Sequence, residues 1–232
     1  MKKKLLLVLA LMIASTCLAQ KDVTKFLGIP VDGTKSAMIQ KLKAKGFTYN
    51  QRRDCLEGEF NGRTVYLHVV TNNNKVYRIM VKDAYGVDES AIRIRFNTLC
   101  RQFENNGKYI PAQFSKSQEI EENEDISYEM AVNNKRYEAS FFQKSKESID
   151  ALDTTMIVDY FYQKALELYS EEELHNLTEQ QEYELKMKLA LQYTIELLEK
   201  KSVWFMIDGS YGNYRICMFY DNGYNQANGE DL

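Results

Sequence analysis

The sequence predicts an α+β fold in which antiparallel β-meanders and hairpins carry helices packed on one face. Three observations lead there. The stretch at 56–83, LEGEFNGRTVYLHVVTNNNKVYRIMVKD, alternates apolar and polar residues between turn-forming asparagines. Segments with apolar residues at helical spacing lie on either side of it. A second alternating hairpin, SVWFMIDGSYGNYRICMFYD at 202–221, comes near the end.

In the central meander the expected strands are 56–60, 63–71 and 75–83. Asn61-Gly62 suits a type I′ turn because both positions accept positive φ, and Asn72-Asn73-Asn74 serves the second turn. Val65, Leu67 and Val69 point one way while Thr64, Tyr66 and His68 point the other. On the third strand Tyr77, Ile79 and Val81 oppose Arg78 and Lys82. Alternation of this kind gives a sheet one buried and one wetter face.

Before the meander, Thr34 is a candidate N-cap for a helix over 35–45, with Ile39 and Leu42 on one side and Gly46 at its end. After it, Asp88 starts a helix to 106 in which Ile92, Phe96, Leu99 and Phe103 form the apolar stripe. Arg93, Arg95 and Arg101 are expected on its solvated flank. Tyr109-Ile110-Pro111 ends a first block, and SKSQEIEENED at 115–125 reads as a solvated acidic connector. Ile126, Tyr128, Met130 and Val132 then alternate like a strand, turned by Asn133-Asn134 into a return strand with Tyr137, Ala139 and Phe141. A helix over 153–169 carries Ile157, Phe161, Ala165 and Leu168. A longer one runs to about 200 from a Thr178–Gln181 capping box, with Tyr183, Met187, Ala190, Thr194 and Leu198 as its stripe. Apolar a and d positions do not persist through its heptads, so it is expected to pack across a sheet rather than in a coiled coil. Residues 65–81 and 203–219 share a Tyr-Arg-Ile core, the trace of two related blocks, 20–109 and 110–232.

The first residues, MKKKLLLVLALMIASTCLA at 1–19, have the basic start, apolar run and small-residue end of a secretory signal, with cleavage expected after Ala19 to leave Gln20. Cys17 follows Ser15 and Thr16, where a lipoprotein signal normally has Gly or Ala before its cysteine. A periplasmic or secreted location is therefore expected. No later apolar run approaches the roughly 20 residues that cross a bilayer. Removing the leader's three lysines leaves 27 basic against 33 acidic residues, about −6, which disfavours nucleic acid as a partner. Cys55, Cys100 and Cys217 then remain, an odd number that permits at most one internal bridge, and free thiols are favoured.

The run VDGTKSAMIQKLKAKGF at 31–47, followed by antiparallel strands, resembles the helix-then-sheet modules of the β-lactamase-inhibitor-protein and outer-membrane-assembly lipoprotein group. The resemblance spans residues 26–83. The leader, with Gln20 just after its cut, is similar to those of secreted proteins of the Bacteroides group. The resemblance implies a protein that binds other proteins and has no catalytic residues. The acylated cysteine of the assembly lipoprotein has no counterpart here.

Patterns for specific chemistry fail on spacing. GIPVDGTKS at 28–36 inserts Thr34 before the lysine of a phosphate loop, which argues against a nucleotide. His68 and His175 stand apart, without a His-x-His, His-Glu-x-x-His or Cys-x-x-Cys pair, so no metal site or cofactor is expected. No catalytic residue is assigned. A carboxylate-dependent hydrolase acting on glycan or peptide remains the alternative, with Glu57, Glu59, Asp208 and Asp221 as examples of available acids. The positive signal is aromatic: Trp204, Tyr211, Tyr220 and Tyr224 form the candidate contact surface, since such side chains combine apolar area with a polar group. The expected function is that of an exported non-enzymatic binding or protein-interaction module. Its partner would be another extracytoplasmic protein, with a glycan as the lesser choice.

Overall fold

A computed structural model describes residues 22–112, 117–144 and 154–227, with side chains in the last stretch from residue 160. The expected leader with Cys17, the connector residues Ser115 and Lys116, and the side chain of Ile157 lie outside these.

The order of elements is β1 (Lys25–Phe26), β2 (Ile29–Pro30), α1 (Lys35–Lys43), β3 (Thr48–Asn50), β4 (Cys55–Phe60), β5 (Arg63–Asn72) and β6 (Lys75–Asp83). Then follow α2 (Glu89–Glu104), β7 (Tyr109–Pro111), α3 (Ile126–Val132), β8 (Glu138–Gln143), α4 (Thr154–Leu166), α5 (Glu171–His175), α6 (Glu179–Glu199), β9 (Ser202–Ser210) and β10 (Asn213–Asp221). The fold is α+β. β1 and β2 form a small hairpin, and the rest make one eight-stranded antiparallel sheet in the order β3-β4-β5-β6-β10-β9-β8-β7. Each half of that sheet is preceded by a helix and ends with its last strand at the centre. The shared Tyr-Arg-Ile sequence falls on β6 and β10, which pair from Lys82 with Cys217 to Arg78 with Asp221.

Local chemistry sets these elements. The Thr34 side chain accepts from the Ala37 amide at the start of α1, and Asp88 does the same for Ala91 at α2. Met38 joins Leu42 as the buried pair of α1, with Ile39 partly covered beside them. Helix α1 lies over β4, β5 and β6, while α2 lies over β7, β9 and β10 and so covers the C-terminal half of the sheet. Between helices and sheet lies one core containing Val65, Leu67, Ile79, Val81, Phe96, Phe103, Phe141, Phe205, Ile216 and Met218. Cys55, Cys100 and Cys217 are buried free thiols.

Four tight turns have both central residues at positive φ: Leu27-Gly28, Asn61-Gly62, Asn73-Asn74 and Tyr211-Gly212. Asparagine and glycine tolerate this backbone, but tyrosine does so at a cost. Tyr211 is also 95% exposed, so packing does not compensate that cost. Both outer strands are short: β3 and β7 have three residues each, and β7 ends in Pro111. Beyond β7, the Gln118 amide takes the place of a strand, accepting from the Ser140 amide at 2.8 Å.

Three expectations are corrected. Residues 126–132 form helix α3, not a strand. Asp125 caps it, and the Glu89 carboxylate of α2 accepts from the Ile126 and Ser127 amides at 2.9 and 3.2 Å. Of the alternating apolar residues, only Ile126 is buried and Met130 partly packed, an i, i+4 pair, while Tyr128 and Val132 are exposed. Second, α6 does not pack across the sheet. It lies against α4 and reaches β8, and Leu189 is its buried residue. Tyr183 and Met187 of the expected stripe are exposed. Third, Arg95 is not on a solvated flank: it is buried, 2.5 Å from the Asn61 side-chain oxygen and 3.5 Å from Asp83. Arg93 is half-buried and pairs with Glu89, whereas Arg101 is exposed and pairs with Glu119.

The Ser127 hydroxyl, and after it the Ile126 and Ser127 amides, hold the Glu89 carboxyl below the usual glutamate range. A depressed folded pKa contributes stability above the unfolded value of about 4.3 that is lost as pH falls through the folded value. The stability gap between wild type and Glu89→Gln, read by urea unfolding, should therefore be constant at neutral pH and close below about pH 4. At the Tyr211-Gly212 turn, Tyr211→Asn should raise stability by about 1 kcal/mol by placing a tolerant residue at positive φ. An unchanged or lower urea midpoint would show that the turn carries no such cost.

Candidate contact surface

The sheet face turned away from α1 and α2 is built by alternation. On β10 the side chains of Tyr214, Ile216, Met218 and Tyr220 enter the core, so Cys217, Phe219 and Asp221 face the other way. Register sets Phe219 beside Trp204 of β9 and Met80 of β6, and Asp221 beside Arg78. Tyr66 and His68 of β5, Met80 and Lys82 of β6, and Trp204, Met206 and Asp208 of β9 are partly exposed around them.

The centre of this face is a closed polar and aromatic cluster. Arg78 donates to both carboxylate oxygens of Asp221, from Nε at 2.6 Å and Nη2 at 2.7 Å. Trp204 Nε1 donates to the same carboxylate at 3.0 Å. The Trp204 ring stacks on Phe219 with centroids 4.1 Å apart, and the guanidinium carbon lies 4.9 Å from the Phe219 centroid. The hydrogen bonds to Asp221 raise the Arg78 pKa, keeping it charged. A fork-to-carboxylate pair with aromatic contacts is the geometry that arginine supports and lysine does not. Four residues along β6, Lys82 donates to Asp208 at 2.7 Å. Burial pushes the neighbouring Cys217 thiol up to about 11, so it stays protonated at neutral pH and is a poor nucleophile.

The four aromatic residues singled out in the sequence are not one patch. Trp204 lies in the cluster, half-exposed. Tyr211 is at the β9–β10 turn, seven residues along the strand, or about 23 Å at about 3.3 Å per residue. Tyr220 is buried on the helix side, in edge contact with Phe26, and burial drives its pKa well above the ordinary value. Tyr224 is half-buried in the C-terminal tail, with its amide bonded to the Asn222 side chain. Alternation puts Tyr66 and Arg78 on the wetter face of the meander from the sequence alone, whereas Phe219 joins them there only through the pairing of β6 with β10.

Three of the four acids named for hydrolysis are engaged, Asp221 with Arg78 and Trp204, Asp208 with Lys82, and Glu57 with the Asn50 amide at 2.9 Å, while Glu59 is exposed on β4. The displaced carboxyl pKa values, at Asp54, Glu89, Glu124 and Glu173, all move downward. A general acid needs the opposite displacement. His68 is half-buried on β5, where burial lowers its pKa, and His175 is at the exposed end of α5. Among the described residues no group of three metal-ligating side chains converges, and no helix is long and apolar enough to cross a membrane.

The two ion pairs on this face should differ in energetic weight. Arg78→Ala leaves a buried carboxylate without its partner and should cost about 3 kcal/mol. Lys82→Ala breaks a more exposed pair and should cost about 1 kcal/mol or less. Equal losses in urea unfolding would mean that the Arg78–Asp221 pair does not anchor the seam. Neither a protein-family model, nor a curated protein, nor a solved structure matches the chain.

Proposed function

We propose that the protein is an exported, non-enzymatic binding module that holds another extracytoplasmic protein against the open face of its sheet. The observation that carries this reading is the state of Trp204. Its ring is stacked on Phe219, its N–H is bonded to Asp221, and it remains partly exposed. A large aromatic side chain already fixed in place loses little conformational freedom on binding, which is what an interface anchor requires. Tyr66, Met80 and Met206 extend the same face with apolar area.

The basic, apolar leader supports export. A helix followed by antiparallel strands is the element behind the resemblance to the β-lactamase-inhibitor-protein and assembly-lipoprotein group, and α1 followed by β3 to β6 has that order. Hydrolysis of glycan or peptide receives less support, because the acids nearest the aromatic cluster are held in ion pairs.

The test is capture from envelope and culture fractions with wild-type protein, Trp204→Ala and Tyr211→Asn. A partner protein retained by wild type and at least tenfold weaker with Trp204→Ala, at a melting temperature that shows the variant folded, is the expected result. Equal capture by wild type and a folded Trp204→Ala protein would remove the open face from the interface. Glycan turnover abolished by a single carboxylate substitution would replace the binding reading with the enzymatic one.

A further inference from the structure

A cleft of about 720 Å3 opens on the opposite, helix-bearing side of the sheet. It lies between the β1–β2 hairpin, the C-terminal half of α2 and the start of the β7–β8 ladder. Leu99 and Phe103 of α2, Phe60 of β4 and Met218 of β10 give it apolar walls. Tyr220 and Tyr109 also line it, and the Gln143 side chain donates to the Tyr109 hydroxyl at 3.3 Å. That same amide is fixed by two bonds to the Lys25 backbone, at 2.7 and 3.0 Å.

The charge around this cleft runs against the charge of the chain. Lys25, Lys108, Lys144 and Lys201 line it with Asp22 as the one carboxylate, while the whole sequence carries −3. Asp22 sits between two of these lysines, 2.5 Å from Lys201 Nζ and 3.7 Å from Lys25 Nζ. The other two have no carboxylate partner among the described residues. The ladder sets them side by side: the Lys144 amide donates to the Lys108 carbonyl at 2.8 Å, next to the Tyr109–Gln143 pair. Like charges on adjacent strands are destabilising, and an anion between them removes the repulsion.

From this juxtaposition, an apolar cleft whose mouth holds two lysines without a carboxylate partner among the described residues, we infer a binding site for an amphipathic carboxylate whose apolar tail enters the cleft and whose headgroup meets Lys108 and Lys144. The volume lies within the roughly 300–1,000 Å3 of small-molecule sites. The carbonyl end of α2, at Asn106 and Gly107, opposes an anion, but a helix terminus amounts to about half a charge against two whole ones. Neither an arginine fork nor a helix N-terminus lines the cleft, so the groups that read phosphate geometry are missing from it among the described residues.

Isothermal titration of the full chain with decanoate below its micelle concentration tests the inference, with decyltrimethylammonium and acetate as probes of tail and charge alone. Saturable one-to-one binding of decanoate is expected, at least tenfold tighter than either control. The Lys108→Glu/Lys144→Glu variant should weaken it at least tenfold without lowering the melting temperature. A Lys41→Glu/Lys43→Glu variant, the same charge change on the exposed side of α1, should leave it within threefold. Failure of decanoate to bind, or equal binding by decyltrimethylammonium, acetate or the Lys108/Lys144 variant, would overturn the site.

Discussion

The pairing of β6 with β10 is the contact through which the two halves of the sheet become one. Its backbone ladder runs from Lys82–Cys217 to Arg78–Asp221, and it joins strands more than a hundred residues apart in the chain. Without it, each half of the sheet would end in an open edge at its most apolar strand. Ile79 and Val81 on one side, and Met218 and Tyr220 on the other, would lose the neighbours that complete their burial. The Arg78–Asp221 pair crosses the same seam from the outer face, so the ladder is fixed by core packing on one side and by a forked ion pair on the other. β10, the last strand among the described residues, must find β6 across that whole separation. Such non-local closure carries a large loop entropy and is expected to form late in folding.

The two faces of the sheet therefore have different chemistry. The helix side is apolar over most of its area and opens into a lysine-rimmed cleft at one end. The outer side satisfies its charges internally and leaves aromatic and thioether surface between them. On that outer face, Asp221 is already engaged by three donors and is not available to a ligand without breaking the seam. Association there would be governed by shape and apolar contact, with the ion pairs as a fixed floor.

What was legible in the sequence was local. Strand β6 ends where the alternation ends, and β5 extends one residue past it, because an Asn-Gly turn and period-2 burial are both encoded within a few residues. The capping box at Thr178 and Gln181 set the start of α6 for the same reason. The failures are tertiary. Residues 126–132 alternate like a strand, yet Glu89, 37 residues earlier, supplies the carboxylate that fixes them as a helix. Arg95 could not be placed at the core boundary without knowing that the Asn61 turn comes beneath α2. Tyr220 had the composition of a contact residue, but its position on the inner face follows from which strand neighbours it, and the cleft it lines gathers residues from 22 to 220.

The outer edges of the sheet have a consequence for the protein among many copies of itself. An eight-stranded sheet open at both ends is a template for strand addition, and chains of such additions grow into fibrils. Here the ends taper to three residues, one closes in a proline, and the strand behind it gives its free amide to the Gln118 side chain. A neighbouring molecule finds too few aligned backbone groups to nucleate on. The sheet can grow wide enough to present a broad outer face while remaining a poor seed for polymerisation.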